Sequence, residues 1–309
     1  MRPTRRLSQS RRRGMALLLV VAVVVILTII VTGLWESAQP SWDESTLSRA
    51  RFQAGLLAES GANIASHPDI GPGDAALWRE YGDGRSFEAR ITTEGGRLLV
   101  NSLDEDLMRE TARELFIRWG VDASSAEIAA DSLADWIDED GDPRANGAEN
   151  GFYGNLDFPE FPPNEDFSSL EQLLLVRGMD EVARVQPLWR DFFTLYGDGF
   201  IDVNAAPADL IAAFFGVTDD AALNFAVTRD GDDGITGTVD DYRYEDTTEV
   251  QTVLGVGGDE WGRVAGLVTL SGAIRRIESV GRVGDYEVRR IVLVTGEGET
   301  AAPVARLRE

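Results

Sequence analysis

Cysteine and lysine are absent from this 309-residue chain, and histidine occurs once. Without cysteine there is no disulfide framework, thiol nucleophile or Cys-based zinc site, and a lone His67 cannot form a metal-ligating histidine cluster. A Ser/His/Asp hydrolase would have to use His67, which stands in Ser66-His67-Pro68-Asp69 and reads as a turn residue. Positive charge is also scarce: 29 basic residues, all arginine, face 53 acids, for a net charge of −24. That balance argues against nucleic acid as a partner, because phosphate binding needs a concentration of basic side chains that the body of the chain lacks. No Walker A motif, dinucleotide fingerprint or nucleophile elbow occurs. What is plentiful is apolar material, 43% of residues, enough for one large or two smaller folded units.

Charge and hydropathy are segregated at the start of the chain. Arg2, Arg5, Arg6, Arg11, Arg12 and Arg13 precede Gly14, and Met15 to Leu34 then run for 20 residues without a charge. As a helix this run is about 30 Å long, the hydrocarbon thickness of a bilayer. The arginines lie before it and the first acid, Glu36, after it, so the positive-inside rule predicts a cytoplasmic N-terminus and an acidic body across the membrane. Residues 1–14 hold six arginines and no acid, so the remainder carries −30. A cleaved signal peptide would have a shorter apolar region followed by a small-residue site, whereas here the small residue, Gly14, precedes it. An uncleaved signal anchor has the same span and stays open at this point.

Arg11-Arg12-Arg13-Gly14 followed by Met15-Ala16-Leu17-Leu18-Leu19 resembles a class III leader, the substrate of a prepilin peptidase, which cuts after the glycine and leaves the apolar helix in the mature protein. In pilins and most pseudopilins the fifth mature residue is a glutamate; here it is Leu19. A carboxylate in the bilayer is costly unless it gains a partner. Its absence resembles the minor pseudopilin K family of type II secretion systems, whose members lack it, and implies a subunit at the tip with no neighbour above.

Further along, Pro40 permits a kink, and Asp43 is a plausible cap for an amphipathic helix with Leu47, Ala50, Ala54, Leu57, Ala58 and Ala62 on one stripe. It ends by Pro68, Gly71, Pro72 and Gly73. The stretches SFEARITT and GRLLVN, separated by Glu94-Gly95-Gly96, read as a β-hairpin. Residues 104–119, 124–137, 168–176, 181–193 and 207–215 have helical spacing, and a β pattern returns from Ala265, with Val283-Gly284-Asp285 as a turn. The last nine or so residues carry no periodic signal and are expected to be disordered. Trp119, Trp136, Trp189, Phe192, Phe193, Phe214 and Phe215 are core candidates. The expected fold is α+β: a pilin-like long N-terminal helix on a small antiparallel sheet, with a large inserted all-α domain. The expected boundaries are leader 1–14, transmembrane helix 15–34, helix continuation and first strands 35–100, helical domain 101–255, and returning strands with a tail 256–309. The K pseudopilins resemble this plan, and the local matches are Val100-Asn101-Ser102-Leu103, Leu133-Ala134-Asp135-Trp136-Ile137-Asp138, Leu170 to Asp180 and Ile201-Asp202-Val203-Asn204-Ala205-Ala206-Pro207.

Residues 138–149, DEDGDPRANGAE, carry oxygen-bearing side chains at loop positions 1, 3, 5, 9 and 12 (Asp138, Asp140, Asp142, Asn146 and Glu149), with the Arg144 carbonyl at position 7. This is the EF-hand ligand spacing, which Ca²⁺ needs because six to eight oxygens must converge from one short loop. Position 6, normally glycine, is Pro143, so the spacing predicts a Ca²⁺ loop hung on one helix rather than a full EF-hand; a plain solvated acidic loop is the alternative. Crowded carboxylates repel one another without a cation. A second run offers Asp230, Asp232 and Asp241, and reads equally as a second metal site or a bare turn-rich loop. Gly178-Met179-Asp180-Glu181 and Gly257-Gly258-Asp259-Glu260 follow the helix-hairpin-helix pattern, but their acids have the wrong sign for phosphate, which leaves helix-capping glycines.

The leading expectation is a non-enzymatic structural subunit. By resemblance it would be a minor pseudopilin processed between Gly14 and Met15, placed at the pseudopilus tip with I-type and J-type minor pseudopilins, and helping to start pseudopilus assembly for protein export. Two alternatives are a minor pilin or adhesin of a type IV pilus-like fibre, and a membrane-anchored periplasmic hydrolase working through paired carboxylates.

Overall fold

The computed structural model describes residues 9–156, 160–295 and 302–307. Its first element, α1, is a helix from Gln9 to Ala65. At 57 residues it contains about 85 Å of helix. The helix runs on through Pro40, where the sequence suggested a kink and a fresh start; the Asp43 side chain lies outside the described residues. Within α1, Met15–Thr32 is long and apolar enough to cross a membrane, with a mean hydropathy of 3.2 and no residue buried in the protein.

The C-terminal part of α1 packs on a five-stranded antiparallel sheet. β1 (Trp78–Gly82) and β2 (Arg85–Thr93) form a hairpin across Asp83-Gly84, both at positive φ. This replaces the expected hairpin at residues 94–96. There, Glu94–Gly96 is a 3-10 turn, and β3 (Leu98–Leu99) leaves the sheet to pair in parallel with a distant strand. The Asp-Gly dipeptide is a strong hairpin signal, since both central residues of a type I′ turn need positive φ.

The helical region starts after a 3-10 turn at Val100–Ser102, where the Asn101 side chain exchanges two hydrogen bonds with the backbone of Phe167 (2.8 and 3.1 Å). It contains α2 (Asp106–Arg118), α3 (Ala123–Ile137), the single turn α4 (Asn150–Tyr153), and α5 (Met179–Val185). Residues 170–175 form a 3-10 helix instead of an α-helix, and the expected helix 181–193 stops at Val185. Pro187 explains the stop: it donates no N–H, and it disfavours the α conformation at Gln186. β4 (Phe193–Thr194) is the partner of β3. β5 (Ile201–Asp202) is followed by α6 (Ala208–Phe215), α7 (Asp219–Arg229), α8 (Thr247–Leu254) and α9 (Gly258–Val264). Gly216 and Gly255 end α6 and α8 in the left-handed conformation, which is the capping role. β6 (Val268–Thr269) pairs in parallel with β5. One core holds this region together, with Trp136, Trp189, Phe116, Phe193, Phe214, Phe215 and Phe225 buried in it.

The chain then returns to the sheet as β7 (Ile274–Val283) and β8 (Tyr286–Thr295), joined by Gly284-Asp285. β9 (Ala302–Leu307) pairs with β8, so residues expected to be a disordered tail form an edge strand. The sheet order is β1-β2-β7-β8-β9, and nine residues of β2 pair with β7 from 182 to 198 positions later in the chain. The sheet therefore closes only after the whole helical region has been inserted.

Small residues set the distance between α1 and the sheet. Ala54, Ala58, Ala62 and Ala65 are buried at helical spacing against it. A Cβ on Gly281 of β7 would collide with the Ala54 carbonyl and crowd the Ala58 nitrogen at 2.5 Å, and one on Gly61 would strike the Ser279 hydroxyl and the Phe87 ring. A buried ionic cluster ties the sheet to the helical region: Arg276 of β7 donates to Glu94 (2.8 Å) and to Glu278 (2.6 Å), and Glu94 also accepts from the Thr194 hydroxyl.

Candidate functional site

The C-terminal end of α3 and the loop after it gather three carboxylates. Asp122 caps the N-terminus of this helix by accepting from the N–H groups of Ser124 and Ser125, and its apolar face enters the core at Ala126, Ala129, Ala130, Leu133 and Ile137. Asp135 lies two residues from the end and is fully buried. The following loop folds back over it so closely that a Cβ on Gly147 would overlap the Asp135 carboxylate. Glu149, at the end of that loop, is 5% exposed. Asp135, Asp138 and Glu149 each place a carboxylate oxygen within 4.8 Å of the other two.

Three carboxylates so close, in a site shielded from water, resist ionising together. Burial, reinforced by Asp135 and Asp138, pushes the Glu149 carboxyl up to about 7. Burial also raises Asp138, although Arg144 pulls the other way. Arg144 donates through Nη1 to Asp135 (2.8 Å) and to Asp138, and its backbone N–H points at both oxygens of Asp135 (3.2 and 3.3 Å). Even so, Asp138 Oδ1 and Glu149 Oε1 are buried with no hydrogen-bond partner. An orphaned carboxylate oxygen on a nine-tenths-buried side chain is strongly unfavourable unless a cation completes it. The donor set is all oxygen, which suits a hard divalent cation over a soft transition metal.

The converging set differs from the EF-hand template. Asp138 and Glu149, positions 1 and 12, do meet. Asp140 and Asp142 are exposed, and Asp140 accepts the N–H of Asp142 (2.9 Å) in a local turn. Asn146 is turned toward Asp131, which accepts its backbone N–H at 3.1 Å and its side-chain amide at 3.4 Å. Their place is taken by Asp135, three residues before the loop. Pro143 accounts for the departure: its φ is locked near −65°, so position 6 cannot make the turn that glycine allows in the EF-hand. Asp135 sits inside the quoted LADWID stretch, and a charged residue on the buried side of an amphipathic helix was the available signal.

The second acidic run has a different structure. Asp230 is clamped by its neighbour Arg229, which is 2% exposed and donates to it from Nε (2.7 Å) and Nη2 (3.1 Å) while Nη1 binds the carbonyls of Val203 and Ala206. Thr236 completes Asp230 Oδ1 at 2.9 Å. Asp232 is exposed and offers its N–H to Asp240, while Asp241 accepts from the Gly237 N–H and the Thr238 hydroxyl. Asp230, Asp232 and Asp241 are thus not among the three-carboxylate groupings of the described residues.

A cleft of about 630 Å³ between the sheet and this loop contains Asp202 and Asp241. The Asp202 carboxylate accepts from Thr93 (2.6 Å), the Gly272 N–H and the Asn204 N–H (3.0 Å each). Both acids hold loops through these hydrogen bonds. His67 accepts the N–H of Asp69 at 3.3 Å in an exposed turn, as its sequence context implied. Gly14 and Met15 lie within α1, and residues 1–8 of the expected leader lie outside the described residues.

Residues 96–188 match the family model of the type II secretion system (T2SS), protein K. Over that segment the chain is similar to type II secretion system protein K. The matched segment runs from β3 through α5 and includes the whole acidic site. The type II secretion system protein K of Dickeya chrysanthemi is 41% identical over 68 residues, 22% of this chain and 18% of that one. Its counterpart from Pectobacterium carotovorum subsp. carotovorum is 27% identical over 196 residues, 56% of this chain and 60% of that one. The matches thus span less than two thirds of these protein K relatives. Among solved structures, the GspK-GspI-GspJ complex from the enterotoxigenic Escherichia coli type 2 secretion system contains a chain with the same fold, at a TM-score of 0.62 and 15% identity. The match covers 87% of this chain and 99% of that one.

Proposed function

We propose that this chain is a protein K of a type II secretion system, a minor pseudopilin that acts as a structural subunit without an active site. The observation that carries the reading is the continuity of α1: one helix holds both the membrane-length apolar segment and the Ala/Gly face that seats the sheet, so an anchor in the bilayer and a folded head are mechanically one body. In this reading the chain is cut by a prepilin peptidase between Gly14 and Met15, stays in the inner membrane with its N-terminus cytoplasmic and its head periplasmic, and joins I-type and J-type minor pseudopilins. The similar fold found in a GspK-GspI-GspJ complex supports that choice of partners. Leu19, in place of a membrane-buried acid, supports a tip position, and assembly would begin there by lateral packing of apolar helices. The head would bind Ca²⁺ through Asp135, Asp138 and Glu149, with Asp140, Asp142 and Asn146 supplying further oxygens once the loop is drawn in and the local hydrogen bonds of Asp140 and Asn146 are exchanged; the orphaned oxygens of Asp138 and Glu149 support this. The ion would order the loop and stabilise the head.

The test is coexpression of the full chain with a prepilin peptidase, followed by mass spectrometry of the N-terminus and co-purification with I-type and J-type pseudopilins. A mature chain beginning at Met15 and retained by both partners is expected. An intact N-terminus, or a cut beyond Leu34, would overturn the reading.

A further inference from the structure

The acidic site already contains a cation of its own, and its fit is incomplete. Arg144 reaches two of the three carboxylates, those of Asp135 and Asp138, from a side chain that is 25% exposed. The pairing is favourable enough to hold the guanidinium above its usual range, the two carboxylates outweighing burial. A single planar fork cannot serve oxygens on three sides, and Asp138 Oδ1 and Glu149 Oε1 remain unpartnered. Charge tells the same story. Three ionised carboxylates and one guanidinium leave a deficit of two positive charges.

The second acidic loop shows how the same chain completes such an arrangement. Arg229 is sealed in at 2% exposure, and every oxygen of Asp230 is satisfied by it and by Thr236. Arg144 differs in both respects. It leaves oxygens orphaned, and it is half-buried between exposed residues, 139–143 before it and 145 after it.

We propose that Arg144 is a displaceable internal counter-cation that sets the calcium affinity of the head: its guanidinium holds Asp135 and Asp138 when the ion is absent, and Ca²⁺ binds by expelling it. This rests on the calcium reading above. The ion and the guanidinium claim the same oxygens, so the apparent affinity is the intrinsic affinity multiplied by the fraction of molecules in which Arg144 has swung out. Arg144 therefore acts as a positioning residue and does not itself ligate the ion through its side chain. Its effect is a threshold: the loop stays folded without calcium, and the exchange occurs only at a calcium concentration set by the strength of the two ion pairs.

Calorimetric titration of the detergent-solubilised full chain with CaCl₂ tests this, comparing wild type, Arg144→Gln and Arg144→Lys. Arg144→Gln is expected to bind calcium about 10-fold or more tightly, and Arg144→Lys, which keeps the charge but loses the fork, to fall between the two. In EGTA, Arg144→Gln is expected to melt below wild type, and in saturating calcium to match it, which also shows that the variant folds. Equal or weaker affinity in Arg144→Gln, with calcium bound by wild type, overturns this inference alone. No calcium uptake by any of the three proteins overturns the calcium reading and this inference together.

Discussion

Replacing Glu149 with glutamine has two opposite effects whose signs follow from the geometry. Glu149 is 5% exposed, one of its oxygens has no partner, and its carboxyl is raised from 4.5 to about 7 by burial and by Asp135 and Asp138. At 1.36 kcal/mol per unit, that shift means an ionised Glu149 costs the calcium-free fold about 3 kcal/mol. Glutamine removes the charge and adds a donor aimed at two carboxylates, so in EGTA at about pH 8 Glu149→Gln should be more stable than wild type. With roughly 2–4 °C per kcal/mol for a domain of this size, the gain is several degrees. In calcium the order reverses. An ion at a hundred times its dissociation constant stabilises wild type by about 2.7 kcal/mol, and the variant, which lacks a charged ligand, should lose most of that response. The pH dependence has a definite direction. The folded-state value lies above the unfolded one, so the penalty is full above about pH 7, declines on acidification and is gone below about pH 4.5; the advantage of the variant in EGTA should vanish over that window. Melting of the detergent-solubilised full chain, followed by tryptophan fluorescence, reads all of this, because Trp136 stands beside Asp135. A variant that melts below wild type in EGTA, or keeps the full calcium response, would refute the reasoning.

Two further predictions concern the scaffold. Gly281→Val puts a branched side chain where even a Cβ meets the Ala54 carbonyl, and should cost about 1–3 kcal/mol by overpacking, or more if α1 must lift, measured as a lower melting temperature; an unchanged value would mean that α1 does not seat on β7 at this distance. Glu278 is held below its usual 4.5 because Arg276, aided by Arg90 and Arg97, outweighs the opposing effect of burial. Its contribution is present above about pH 4.5 and lost as pH falls through the lowered folded-state value, so the gap in melting temperature between wild type and Glu278→Gln should be constant from pH 7 to 5 and shrink below that; a gap that widens on acidification would contradict the Arg276 pairing.

Much of the fold was legible because its signals are local. The apolar run to Leu34, the alanine stripe from Ala54 to Ala62, and the Gly284-Asp285 turn are periodicity or turn chemistry within a short window, and each appears where it was expected. The hairpin at residues 94–96 was misassigned because two alternating stretches next to each other look like partners, whereas Leu98 and Leu99 pair with Phe193 and Thr194 and the real hairpin uses Asp83-Gly84. The helix expected over 181–193 ignored Pro187. Residues 302–307 become ordered by pairing with β8, a gain invisible in their own composition.

The same division runs through the acidic site. The acidic loop and its two terminal acids follow from the spacing of Asp138 and Glu149, and the separation of arginine-rich start, apolar span and acidic body is complete in the linear order of residues. Asp135 as the third carboxylate, Arg144 as its partner, the withdrawal of Asp140, Asp142 and Asn146, and the self-sufficiency of Asp230 through Arg229 were decided only by the tertiary structure. Hydropathy and charge are sums over neighbours in sequence and survive without a fold. Which oxygens are left without a partner depends on burial and on the direction of each side chain, and these exist only once the loop is closed over the end of α3.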